Sequence, residues 1–144
     1  MKMLLDTSVL VAAMVESHPM HERAFPWLQR IKDGTDVGLV AAHSIAELYA
    51  ILTTLPVQPR ISPAISKPLI RHNVLEICEV VSLSGEDDAA IIEHLSEASI
   101  VGGVTYDALI LYVALKVDVD YVITLNEKDF RRIYPNLADK VISP

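Results

Sequence analysis

Three carboxylates in this 144-residue chain stand beside strongly apolar segments: Asp6, Glu47 and Asp107. A carboxylate in such surroundings is costly unless something pairs with it. If the strands that precede these acids lie parallel in one sheet, the carboxylates converge at its carboxyl edge and repel each other. Acids gathered in this way usually hold a hard cation. The pattern therefore indicates a Mg²⁺ or Mn²⁺ site and, with it, phosphoryl chemistry.

Each of these acids also has a purely structural interpretation. Asp is a favoured N-cap, so Asp6 is equally consistent with capping a helix that begins directly after it. Ser44 and Glu47 have the spacing of a capping box, in which the Glu side chain accepts from the N–H of the cap residue. Asp107 follows a predicted cap at Thr105 and would complement the helix dipole. The residues alone leave both interpretations open.

Short apolar segments alternate with longer helical ones along the chain. The predicted strands are 3–5, 37–41, 80–83, 121–124 and 141–142. The predicted helices are 7–15, 21–32, 44–54, 63–77, 84–98, 106–116 and 126–133. This alternation predicts an α/β fold, with a mainly parallel central sheet of four to five strands flanked by helices. We expect a single domain over residues 1–144.

The composition narrows the class of protein further. A net charge of -7 argues against nonspecific nucleic-acid binding over the whole surface, although acids masked by a metal remain compatible with a nucleic-acid enzyme. Cys78 is the only cysteine, which excludes an intrachain disulfide and fits a reducing compartment. No apolar stretch approaches the roughly 20 residues that span a membrane. We therefore expect a cytoplasmic protein.

Four segments, in the expected order, resemble the PIN-domain nucleases and most closely the VapC-like toxins of prokaryotic toxin–antitoxin pairs. They are Asp6-Thr7-Ser8, Ala46-Glu47-Leu48, Tyr106-Asp107-Ala108 and Thr124-Leu125-Asn126-Glu127-Lys128-Asp129-Phe130. The resemblance covers essentially the whole chain. It implies a PIN-like fold and a metal-dependent endoribonuclease.

The resemblance also implies roles for individual residues. Three acids match metal-binding positions of the family: Asp6, Glu47 and Asp107. The fourth family acid is replaced by Asn126, which brings an oxygen but no charge, and Asp129 is the candidate for the missing carboxylate. Three hydroxyl residues are implied to orient Asp6 or a bound water: Thr7, Ser8 and Thr124.

The mechanism implied by the resemblance uses Mg²⁺, with Mn²⁺ as a substitute. A metal held by Asp6 and Asp107 polarises the scissile phosphate, and Glu47 positions the attacking water or accepts its proton. The implied partners are an RNA substrate, an inhibitory antitoxin protein and a second copy in a homodimer. The second and third helices, with the loop 56–62, are expected to border the antitoxin groove.

A basic stretch provides a candidate RNA contact. No acid lies between Glu47 and Glu76, whereas Arg60, Lys67 and Arg71 do. Such a local positive patch suits the phosphate backbone of RNA. An ordinary basic helix face is the alternative interpretation.

Three other functions compete with the toxin interpretation. A catalytically weakened PIN-like binding module would act only through partners, and Asn126 favours it. A housekeeping RNA-processing nuclease would use the same chemistry in a different biology. Haloacid-dehalogenase-like phosphatases also place an Asp after the first strand, but their second Asp, two residues later, is Ser8 here.

Overall fold

The computed structural model describes residues 1–144 and contains one five-stranded sheet. The strands are β1 (Lys2–Leu5), β2 (Val37–Ala41), β3 (Cys78–Val81), β4 (Tyr121–Ile123) and β5 (Val141–Ile142). Their spatial order is β3-β2-β1-β4-β5, and every neighbouring pair is parallel. All strands therefore end at the same edge of the sheet, as the chemistry of the three acids requires. The predicted α/β class is confirmed, and the sheet is wholly rather than mainly parallel.

Seven α-helices connect and cover these strands. They are α1 (Thr7–Met14), α2 (His21–Lys32), α3 (Ala42–Thr54), α4 (Pro63–Ile70), α5 (Gly85–Glu97), α6 (Val104–Val117) and α7 (Glu127–Ile133). A π-helical turn, Arg71–Leu75, continues α4, and a 3₁₀ turn, Pro135–Lys140, leads into β5. None of these helices combines the length and the apolarity needed to cross a bilayer.

The helices bury both faces of the sheet. Met3 and Leu5 point into a core shared with α1 to α4, whereas Leu4 between them joins a core shared with α5 to α7. Successive side chains of a strand point to opposite faces, so a strand buried on both faces must be apolar at every position. This explains why β1 has no polar residue after Lys2. Polar groups are left for the strand ends.

Local capping signals determine where two of the helices begin. Ser62 Oγ accepts from the N–H of Ile65 at 3.3 Å, and Pro63 occupies the first helical position of α4. Ser84 Oγ accepts from the N–H of Asp87, whose carboxylate accepts in turn from the N–H of Ser84. This capping box starts α5.

Two other predicted helix starts are wrong. The helix α3 begins at Ala42 directly after β2, so Ser44 lies inside it with a buried hydroxyl that has no hydrogen-bond partner, and there is no capping box with Glu47. The helix α6 begins after Gly103, and the Thr105 hydroxyl donates to the carbonyl of Gly102 at 2.7 Å instead of capping. In both places the direct passage of the chain into the helix overrides the local capping signal.

The fourth predicted helix is interrupted. It was expected to run from residue 63 to residue 77, but the regular α-helix ends at Ile70 and a π-helical turn follows. Pro68 has no N–H to donate, and a proline inside a helix commonly ends or widens it nearby. The next strand then begins at Cys78, two residues earlier than predicted.

Candidate active site

Asp6 occupies the first position beyond β1 and is only 5% exposed. Its carboxylate Oδ2 accepts from Ser8 Oγ at 2.6 Å and from Thr124 Oγ1 at 2.8 Å. Its backbone N–H donates to the carbonyl of Ile123 at the end of β4, at 3.0 Å. Burial raises the pKa of Asp6, and the two hydroxyl bonds oppose that rise. Asp6 is therefore a fixed, desolvated carboxylate between two central strands.

The Ser8 and Thr124 hydroxyl groups that donate to Asp6 also hold the chain segment that follows β4. Thr124 Oγ1 accepts from the N–H of Asn126 at 3.0 Å, and Ser8 Oγ accepts from the N–H of Leu125 at 3.2 Å. These bonds couple the position of Asn126 to that of Asp6. The third hydroxyl residue, Thr7, is buried and its Oγ1 makes no hydrogen bond within the protein.

Asn126 bridges two further acids. Its side-chain Nδ2 donates to Asp107 Oδ2 at 3.5 Å and to Asp129 Oδ2 at 3.1 Å. Asp107 lies in the first turn of α6, and Asp129 lies in the first turn of α7. Asn126 stands at the N-cap position of α7 without capping it through its side chain. In this arrangement it acts as a donor that holds two carboxylates near Asp6.

Burial and the neighbouring acids raise the cost of ionising Asp107. Burial raises the pKa of Asp107 to about 6, and the charges of Asp6, Glu47 and Asp129 contribute to the rise. No Lys, Arg or His forms an ion pair with Asp6, Glu47 or Asp107. The only cation paired with any of these acids is Arg132, which lies 3.8 Å from Asp129, so Asp6, Glu47 and Asp107 carry negative charge that no cationic side chain offsets.

Two polar residues outside the predicted set border these acids. His43 lies one helical turn before Glu47 on α3, and burial lowers the pKa of its imidazole although the charges of Glu47 and Asp6 oppose this. The charge of Asp88, near the start of α5, also opposes the lowering of the His43 pKa. A signal in the sequence was available for His43, which lies two residues after the end of the buried strand β2. Asp88 gives no such signal, because it lies seven residues after the partly exposed strand β3.

The sequence matches the family profile described as PIN domain over residues 3–135. The chain belongs to the PIN-domain family. Ribonuclease VapC40 of Mycobacterium tuberculosis is 35% identical over 109 residues, which are 76% of this chain and 75% of the relative. The resemblance derived from the four motif segments is thus confirmed.

Solved structures share the fold of this PIN domain. VapBC2 from Rickettsia felis, solved with a DNA fragment from its promoter, superposes with a TM-score of 0.70 at 20% identity, over 100% of this chain and 99% of that one. Mycobacterium tuberculosis VapC20, described as a sarcin–ricin loop cleaving toxin, gives a TM-score of 0.64 at 16% identity, over 83% and 86% of the two chains. At these identities the structures establish the fold alone.

The carboxylates of the PIN site are suitable ligands for a divalent cation, but they are not arranged around a common point where a cation could bind. No group of three or more His, Cys, Asp and Glu side chains lies in the geometry that holds a metal ion. Hard cations bind carboxylate oxygens, and Asp107 and the acids around it provide such oxygens. A metal would therefore have to draw Glu47 and Asp107, both partly exposed, towards the buried Asp6.

Removing the Thr124 hydroxyl should damage both this site and the fold. The Thr124→Val variant removes one of the two hydroxyl donors to Asp6 and leaves the N–H of Asn126 without its acceptor, which costs about 1–3 kcal/mol of unfolding free energy. Loss of such an orienting bond should reduce cleavage about 10- to 100-fold. Urea denaturation and initial cleavage rates measure the two effects. Thr124→Ser, which keeps the hydroxyl, should restore most of both, and an inactive Ser variant would contradict the orienting role.

The predicted basic patch is only partly free in this PIN domain. Arg71 Nε forms an ion pair with Glu76 at 3.1 Å. Lys67 lines an apolar groove between α3 and α4, and Arg60 is exposed in the loop before α4. A second basic segment on α7 is more fully neutralised, because Arg131 pairs with Glu127 and Arg132 approaches Asp129.

Proposed function

We propose that this chain is a divalent-metal-dependent endoribonuclease that acts as the toxin of a toxin–antitoxin pair. The observation that carries the proposal is the buried Asp6, which two hydroxyl groups hold and which lies near Glu47 and Asp107, two acids with no cationic partner. Membership of the PIN-domain family and a ribonuclease among its relatives support RNA as the substrate. The single cysteine supports a reducing, cytoplasmic setting.

Each side chain has a separate task in this proposal. Mg²⁺ or Mn²⁺, when bound, would polarise the scissile phosphate and lower the pKa of a water. Asp6 provides the fixed ligand, because Ser8 and Thr124 already restrict its carboxylate. Asp107 provides a second ligand, and Glu47 orients the attacking water or accepts its proton.

Asn126 positions the Asp107 ligand, and Asp129 adds a further carboxylate to the site. The Asn126 amide holds one oxygen of Asp107, which leaves the other oxygen for a ligand role. Asp129 supplies a further carboxylate one helical turn along α7, on the same amide. With a neutral Asn in place of a fourth acid, we propose one firmly bound metal rather than two.

Cleavage of a structured RNA mixture tests the proposed activity. The purified protein should cut with Mg²⁺ or Mn²⁺, stop when EDTA is added, and resume when metal is returned in excess. The Asp6→Asn variant, prepared in parallel, should be inactive under all these conditions. Equal cleavage by both proteins would identify a contaminating nuclease, and metal-bound wild type that leaves every RNA intact would favour a partner-binding module instead.

Three basic residues are proposed to contact RNA: Arg60, Lys67 and Arg71. Their joint replacement by Ala should weaken RNA binding and reduce the slope of log affinity against log salt by about 2, since each phosphate contact contributes roughly 0.7 for single strands. Fluorescence anisotropy over a salt series measures the slope. Arg23→Ala removes an exposed cation of α2 as a control and should leave it unchanged. An unaltered slope in the triple variant would assign the patch to ordinary solvent-exposed surface.

An apolar groove supports the antitoxin part of the proposal. It has a volume of about 740 Å³ and lies between α3 and the α4 segment, with Tyr49 and Leu75 exposed along it. The sequence predicts a groove bordered by α2, α3 and the loop 56–62, and of these elements only α3 lines the groove described here. A related solved assembly is VapBC2, and we propose a comparable partner protein here together with a homodimer.

A further inference from the structure

A separate cavity adjoins the acids at the same edge of the sheet. It has a volume of about 300 Å³ and lies beyond the ends of β2 and β3, against α3, α5 and α6. Five apolar residues line its walls: Ala41, Ala42, Val81, Leu83 and Leu109. Three polar residues also line it: His43, Ser82 and Asp88. This volume is at the lower end of the range for small-molecule sites.

The cavity lies beside the candidate active site, because His43 lines it and is close enough to Asp6 and Glu47 for their charges to act on its imidazole. Leu109 is two residues beyond Asp107 on α6, and His43 is one turn before Glu47 on α3. The strand β2, which ends at the cavity, pairs directly with β1, which ends at Asp6. Neighbouring strands are about 5 Å apart. For an RNA chain whose phosphate lies on the acids, this cavity is therefore a neighbouring recess for an adjacent group.

The lining selects the chemistry of an occupant. Apolar walls suit the faces of a flat aromatic ring, and an ionised carboxylate accepts hydrogen bonds but donates none. No Lys or Arg lines the cavity, and Asp88 would repel a phosphate. A nucleobase with N–H groups on its edge meets these conditions. Guanine meets them best, because its N1–H and its amino group are adjacent donors that match the two oxygens of Asp88.

We propose that this cavity is a nucleobase subsite, which receives the base next to the scissile phosphate and prefers guanine. The inference rests on the proposed cleavage of RNA. Proteins commonly recognise unpaired RNA bases in this way, by stacking on the ring faces and by hydrogen bonds to the base edge. Base selection by Asp88 would then determine where the chain is cut.

Titration of the metal-free protein with the four nucleoside 5′-monophosphates tests the subsite directly. With EDTA present, GMP should shift the amide resonances of Val81, Ser82 and Leu109, and it should bind about tenfold more tightly than UMP. Ser82→Trp places an indole at the cavity and should abolish these shifts. Glu86→Gln alters an exposed acid of α5 outside the cavity and should change nothing. Absent shifts, or shifts that persist in Ser82→Trp, would overturn the proposal.

Cleavage-site mapping provides a second readout. Asp88→Asn presents one donor and one acceptor, so the fraction of cuts beside guanine, relative to cuts beside the other bases, should fall about tenfold. An unchanged base preference in this variant would also overturn the subsite. The titration needs no turnover, so a protein that binds GMP without cutting RNA would contradict the proposed function and leave the subsite supported.

Discussion

Replacing Asp107 with Asn should reduce RNA cleavage about 1000-fold, which corresponds to roughly 4 kcal/mol of transition-state stabilisation. The substitution keeps the size of the side chain but removes the charge that faces Asp6 and Glu47. Initial rates with saturating Mg²⁺ measure the loss. Glu86→Gln, a charge loss at an exposed position, should retain wild-type rates. Cleavage within tenfold of wild type in Asp107→Asn would remove this residue from the catalytic set.

The same substitution should stabilise the metal-free fold near neutral pH. The pKa of Asp107 is about 6 in the folded protein and 3.8 ordinarily, so the folded state holds its proton over a wider pH range. The stability that the protonated Asp107 contributes to the fold is therefore lost as the pH rises from about 4 to about 6. After allowance for its partial exposure, the ionised group costs about 1 kcal/mol at pH 7.

Urea denaturation in EDTA at two pH values measures this effect. Asp107→Asn should exceed wild type in unfolding free energy at pH 7 and equal it near pH 4. A wild type that is the more stable protein at pH 7 would show that the acids are not in mutual repulsion. Together with the activity loss, a stability gain would mark Asp107 as retained for chemistry rather than for folding.

Replacing Phe130 with Ala should cost about 3–5 kcal/mol of unfolding free energy, a large part of the stability of a typical domain. Phe130 is fully buried, in the core that α7 shares with Leu4 and Leu111. Its N–H donates to the carbonyl of Asn126, and Asp129 precedes it in the chain. Loss of this anchor should loosen both site residues, so activity should fall along with stability.

Phe25→Ala provides a matched control for this prediction. Phe25 lies on α2 with 38% of its surface exposed, so its truncation should cost less than about 1 kcal/mol. Phe130→Leu should give an intermediate loss and remains measurable if the Ala variant does not fold. Equal losses at positions 25 and 130 would show that α7 is not held by this core.

The fold was largely predictable because its signals are local. The apolar strands and the helices between them follow from hydrophobic patterning, and α2 was predicted with its observed ends. The errors lie at boundaries. Ser44 and Thr105 have capping chemistry but no cap to make, because the chain enters both helices earlier than these residues. Propensity at a single residue is weaker than the geometry imposed by the neighbouring strand.

The sequence also predicted which side chains gather near the strand ends, but it did not predict how hydrogen bonds connect them. Carboxylates near strand ends predicted a cluster, and the charges of neighbouring acids add to the rise that burial causes in the pKa of Asp107. The spacing did not show that the Asn126 amide holds two acids, or that His43 and Asp88 border a cavity beside them. These facts depend on which strands are neighbours.

By itself, the sequence determined the alternation of strands and helices, the apolar strands that must be buried on both faces, and the acids that follow them. These features are written in the order of residues along one segment. Only the tertiary structure decided that Thr124 donates to Asp6 across 118 positions of sequence, since that bond requires β4 to lie beside β1. Strand order arises from packing of the whole chain, and no single segment contains it.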